Sequence, residues 1–142
     1  MAHKILVTIE FGDDGTYSCY SEQPIGEYAL IDGDGATASE AKADFLKAVE
    51  ECRQAYPEDE RYTGLTFEYK YDLRSFFNYF NFLNVTEIAK RAGINPSLMR
   101  QYTSGVKTAG ETTYKKLSSC ISQIRTELGR KSTRLNSSHI QK

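Results

Sequence analysis

The sequence has no tryptophan, two histidines and three cysteines, and each scarcity removes a class of chemistry. His3 and His139 stand near the two ends, which leaves no obvious general base for triad or zinc catalysis. Cys19, Cys52 and Cys120 are odd in number and lack any Cys-x-x-Cys or Cys-His spacing. No metal framework is expected from them, and a reducing cytoplasm fits. Apolar runs are far shorter than a bilayer span, and neither a membrane segment nor a secretory signal is read. With three prolines and ten glycines in 142 residues, the chain is neither collagenous nor of low complexity.

What is present is a globular composition, 39% hydrophobic and 26% charged, sufficient for one average domain or two small ones. The formal net charge of −1 conceals a polarity. Residues 1–60 hold 4 Lys/Arg against 14 Asp/Glu, a net of −10, whereas residues 61–142 hold 14 against 5, a net of +9. Either each half meets a partner of opposite sign, a polyanion for the basic half and a basic partner for the acidic one, or both are ordinary solvated surfaces.

Along the chain, Ile5, Val7, Ile9 and Phe11 alternate with Lys4, Thr8 and Glu10, interrupted by Leu6, as in a half-buried strand. Gly12 to Gly15 supply turn chemistry and Thr16 to Tyr20 returns as the second strand of a hairpin. A third strand is read over Tyr28 to Ile31, followed by an acidic, glycine-rich loop, IDGDGATAS. From Ser39, the expected N-cap, Ala41, Phe45, Ala48, Val49 and Cys52 recur with helical period until Pro57. Leu65, Phe67, Tyr69 and Tyr71 then alternate in a fourth strand. The order β-β-β-α-β makes an α+β unit over residues 1–71.

From Asp72 onward the periodicity is helical. Asp72 caps a helix expected to reach Leu83, Asn84 with Glu87 opens a second, and Gly93 ends it. Asn95 caps a third helix beginning at Pro96 and closing at Gly105. Tyr114, Leu117, Ile121, Ile124 and Leu128 mark an amphipathic helix from about Glu111 to Leu128. Residues 72–131 thus form an all-α unit. Residues 132–142, within STRLNSSHIQK, are Ser-rich, lack periodicity and resemble translated adapter sequence, so an extraneous, disordered tail is expected.

Residues 85–105 carry the strongest functional pattern. Ile88, Ala89, Ala92, Ile94, Met99 and Tyr102 are placed to face inward, which fits a helix-turn-helix with its sharp turn at Gly93. Fixing that set turns Asn95, Pro96, Ser97, Arg100 and Gln101 outward. Arg reads guanine and Gln reads adenine bidentately, Ser serves either edge, and a helix of this size enters the major groove; Asn95 is available either to read or to cap. Candidate phosphate contacts are Thr86, Lys90, Arg91, Thr103, Ser104 and Lys107. The plain alternative is a helical hairpin whose polar residues are merely solvated.

At these residues, GINPSLMRQYTSG followed by TTYKKLSSCIS, the chain resembles the Cro/repressor type of helix-turn-helix. The acidic half, with KILVTIEFGDDGTYSCYS and IDGDGATASEA, resembles the HicB-type antitoxin. That resemblance implies a degenerate ribonuclease-H-like domain that binds a small basic RNA-cleaving toxin, and a C-terminal domain that represses the operon as a dimer. The family's Pro-Gly pair is here split by Ile25, in QPIGEYAL.

Repression by occupancy of an operator needs two copies about 34 Å apart, so a homodimer is expected, with Ile121 or Ile124 serving either the dimer or the monomer core. The alternatives are a solitary phage-type or mobile-element-type regulator without a toxin, and a degenerate nuclease-like interaction module. Asp13, Asp14, Asp32 and Asp34 could be drawn as a two-metal site, but they fall in glycine-flanked turns rather than on rigid supports. Catalysis and cofactors are not expected.

Overall fold

A computed structural model describes residues 3–26 and 30–140, with side chains described through residue 132. It is α+β: a four-stranded mixed sheet and one helix form the first half, and four further helices follow. Strands β1 (His3–Phe11) and β2 (Tyr17–Ser21) form the expected hairpin, with Val7 opposite Ser21 and Phe11 opposite Tyr17. β4 (Leu65–Tyr71) lies parallel to β1 on its other side, pairing Ile5 with Phe67 and Ile9 with Tyr71.

The third strand departs from expectation. Tyr28 lies outside the described residues, Leu30 and Ile31 are not in a strand, and β3 is Asp32–Gly35, in the segment read as an acidic loop. β3 pairs antiparallel with β2 and closes the order β3-β2-β1-β4. Its alternation is glycine inward and aspartate outward. Helix α1 (Ala38–Ala55) approaches so closely that a Cβ on Gly33 would fall 2.2 Å from the Phe45 nitrogen, and one on Gly35 2.5 Å from that of Ala41. Asp44, on α1, accepts a hydrogen bond from the outward-facing Asp34 amide at 2.9 Å. The cap also differs: Thr37, not Ser39, accepts from the Glu40 amide and starts α1 one residue before Ser39.

One face of the sheet, with Ile5, Val7, Ile9 and Cys19 buried, packs under α1, whose Phe45 meets Phe67 edge-on at 5.3 Å. A 3₁₀ turn at Glu60–Tyr62 leads from α1 back to β4. The opposite face is polar: Lys4 and Lys70 pair with Glu68 at 2.6 and 3.4 Å, and Thr8 donates to Glu22.

Helix α2 (Leu73–Tyr79) starts at the Asp72 cap but ends four residues before the expected Leu83. Phe80 turns back onto Phe76 and Phe11, and the Leu83 amide closes a turn on the Phe80 carbonyl, which redirects the chain. Helices α3 (Val85–Ala92) and α4 (Pro96–Thr103) follow the sequence reading. Helix α5 (Glu111–Ile140) does not stop near Leu128: it runs over most of the segment expected to be disordered, which contains no proline to end it.

The halves are joined through Tyr71. Its backbone pairs with Ala109, its ring stacks on Tyr114 at 3.8 Å, and its hydroxyl donates to Glu111 at 2.7 Å. Lys42 of α1 pairs with the same carboxylate at 2.7 Å and sits over the Tyr69 ring. Burial pushes the Glu111 carboxyl up, but the hydrogen bonds from Lys42 and Tyr71 together outweigh it and hold the group below its ordinary value. Among the described residues, no helix is long and apolar enough to cross a membrane.

Candidate nucleic-acid interface

Each end of the α3–α4 pair is set by local chemistry. The Asn84 side-chain oxygen accepts from the Glu87 amide at 3.1 Å and opens α3. Gly93 adopts φ 75°, and the amides of Gly93 and Ile94 fold back onto the Lys90 and Ala89 carbonyls. Nothing lies within 4 Å of a Cβ placed on Gly93, so its backbone conformation rather than space demands glycine. Asn95 accepts from the amides of Ser97 and Leu98 at 2.8 and 3.4 Å, with Pro96 at the first helical position, where no amide is missed.

Packing then divides the two helices into faces. Ile88, Ala89, Ile94, Met99 and Tyr102 are buried and Ala92 is half-buried. Ala89 and Met99 are 0% exposed, so both are wholly enclosed in the packing of these helices. Ser97 and Arg100 are exposed on the opposite side, where the guanidinium donates to the Ser97 hydroxyl at 3.0 Å, and Pro96 and Gln101 are half-buried beside them. Asn95 is exposed, but its side-chain oxygen is taken by the cap, leaving its amide nitrogen to face outward.

The flanking residues do not all gather at α4. Thr103 and Ser104 lie at its end, donating to the Arg100 and Gln101 carbonyls at 3.3 and 3.2 Å. The Lys107 amide bonds the Gln101 carbonyl at 3.1 Å, which folds the exposed Lys107 back beside the last turn. Thr86 and Lys90 are exposed one turn apart on α3. Arg91 goes elsewhere: it faces α5 and pairs with Glu127 at 3.5 Å. Arg74, which the sequence reading passed over, brings a cation to this end of α4, since a Cβ on Gly105 would lie 2.9 Å from its Cδ. No local pattern signals it, because Arg74 and Gly105 meet only through the fold.

The acidic residues are dispersed by comparison. Asp13 and Asp14 are exposed in the β1–β2 turn, where hydrogen bonds from the Thr16 hydroxyl and amide hold the Asp14 carboxyl below its ordinary value. Asp32 and Asp34 are exposed on β3, and Asp34 accepts from Ser18 at 3.0 Å. Among the described residues, no three His, Cys, Asp or Glu side chains gather in a group that could hold a metal ion. Cys19 is fully buried, and burial pushes its thiol up to about 12, far from a reactive thiolate.

Ile121 and Ile124 are half-buried. A groove of about 330 Å³ between α3 and α5 brings Leu83, Ile124 and Leu128 together, and Leu128 is 62% exposed. Comparison with family models, with curated proteins and with solved structures finds no match for the chain.

Proposed function

We propose that the chain is a sequence-specific DNA-binding repressor in which α3, the Gly93 turn and α4 act as a helix-turn-helix of the Cro/repressor type. The observation that carries this reading is the division of α4 into a buried Met99/Tyr102 face and an outward Ser97/Arg100/Gln101 face. In this reading α4 enters the major groove and Arg100 and Gln101 read base edges, while Asn95 serves as a cap. Thr86, Lys90, Thr103, Ser104, Lys107 and Arg74 approach phosphates, and Arg91 instead braces α3 on α5. The protein acts as a homodimer, with Ile124 and Leu128 on the face that remains apolar between α3 and α5.

The acidic half is proposed to bind a basic protein, as in a HicB-type antitoxin whose partner is a small RNA-cleaving toxin. Three antiparallel strands with a fourth parallel to the first, reached through a crossover helix, support the degenerate ribonuclease-H-like reading of this half.

Fluorescence anisotropy with the duplex upstream of the gene and a scrambled duplex, at about 150 mM salt to weaken non-specific binding, tests the DNA reading. Selective binding to the native duplex is expected; equal weak binding to both would overturn it. Co-expression with the neighbouring reading frame tests the second proposal, which predicts a stable complex and relief of growth arrest. A neighbour harmless when expressed alone would remove it.

A further inference from the structure

We infer that the groove where the two halves meet binds a small aromatic anion. It has a volume of about 400 Å³, within the range of about 300–1,000 Å³ over which pockets hold small organic molecules. It opens beyond the carboxyl ends of the parallel strands β1 and β4, the place where open sheets commonly receive ligands, and α2 and α5 complete its walls.

The walls specify the ligand's body. Phe11 meets Tyr17 and Phe76 edge-on at 4.9 and 5.8 Å, and Tyr71 stacks on Tyr114 with the rings 7° from parallel. Tyr17, Phe76 and Tyr114 each remain partly exposed, so ring surface is left for a flat guest.

The rim specifies its charge. Two charged residues line the groove, Asp72 and Arg125. The Asp72 carboxylate is turned to the α2 N-terminus, accepting from the Ser75 amide at 3.1 Å. Arg125 is exposed and takes part in no ion pair among the described residues. The amide and dipole of the α2 N-terminus partly offset the Asp72 charge, so Arg125 is the charged group of the groove left without a counter-charge among the described residues, and Ser118 and Ser122 beside it on α5 offer hydroxyl donors. Because β1, β4, α2 and α5 all contribute, an occupant touches both halves. The inference does not depend on the DNA-binding reading.

The test uses the full chain and two fluorescent probes of similar shape, 8-anilinonaphthalene-1-sulfonate and the uncharged N-phenyl-1-naphthylamine. Saturable binding of the sulfonate at one per chain is expected. Arg125→Glu, at the exposed rim, is expected to weaken the sulfonate about tenfold or more while leaving the naphthylamine within about twofold. Ser118→Phe, which fills the groove from α5, is expected to abolish both, with circular dichroism confirming the fold; should that variant not fold, Arg125→Glu decides alone. Absence of saturable binding, an unchanged sulfonate affinity in Arg125→Glu, or equal loss of both probes in that variant would each overturn the inference.

Discussion

Gly33 and Gly35 in the sheet half lie against the backbone of α1, where any side chain would collide, while Gly93 in the helical half has open space around it and a positive φ. The same residue type answers to two different constraints. Around β3 the constraint is long-range packing between segments brought together by the fold. Around α3 and α4 it is local backbone chemistry, complete within a few residues of each turn. β3 is accordingly sensitive to volume and the α3–α4 turn to conformation.

The largest expected effect sharpens this contrast. Gly33→Ala should lower stability by about 3 kcal/mol, since the clash is with helix backbone that cannot rotate away. Gly93→Ala should cost about 1 kcal/mol, from conformation alone. Urea denaturation measures both, and equal losses would erase the distinction between β3 and the Gly93 turn.

Next come variants that separate binding from stability. Arg100→Ala should lose about 1 to 3 kcal/mol of affinity for the native duplex and little for a random one. Lys107→Ala should weaken both duplexes alike and reduce the salt slope by about 1. The urea midpoint of each should stay near that of the parent, because both side chains are exposed. Equal losses on both duplexes for Arg100→Ala would remove α4 as the reading helix.

The smallest effect lies at the joint. Glu111→Gln should cost about 0.5 to 1 kcal/mol at neutral pH, a modest figure because the carboxylate is 39% exposed. Its folded-state pKa is held below the ordinary value of 4.5, so its contribution is present above about pH 4.5 and is lost as pH falls through the folded value. The parent should therefore lose part of its advantage over Glu111→Gln in melting temperature over the window in which pH falls below 4.5 and passes through the lowered folded value. A constant difference over that window would show that the carboxylate does not clasp the halves.

The same contrast governs what could be read from the residues in order. β1, β2, β4 and the α3–α4 pair follow from alternation, caps and the Gly93 turn, all of them short-range signals. β3 was illegible because Asp and Gly are poor strand formers by composition, and only the proximity of α1 makes Gly the required residue there. The premature end of α2 depends on Phe80 meeting Phe11, which is 69 positions earlier in the chain. At the candidate interface the outward residues of α4 were legible. The pairing of Arg91 with α5 and the approach of Arg74 to Gly105 were not, because each is a contact between distant segments.

The carboxylate of Asp44 on the Asp34 amide has a colloidal consequence. β3 is an edge strand, and an open edge invites a strand from another molecule. With that amide already engaged by a charged helix side chain, and with Asp32 and Asp34 exposed beside it, a passing chain finds fewer free donors and a negative field. The sheet is thereby discouraged from growing into an aggregate at its most glycine-rich border.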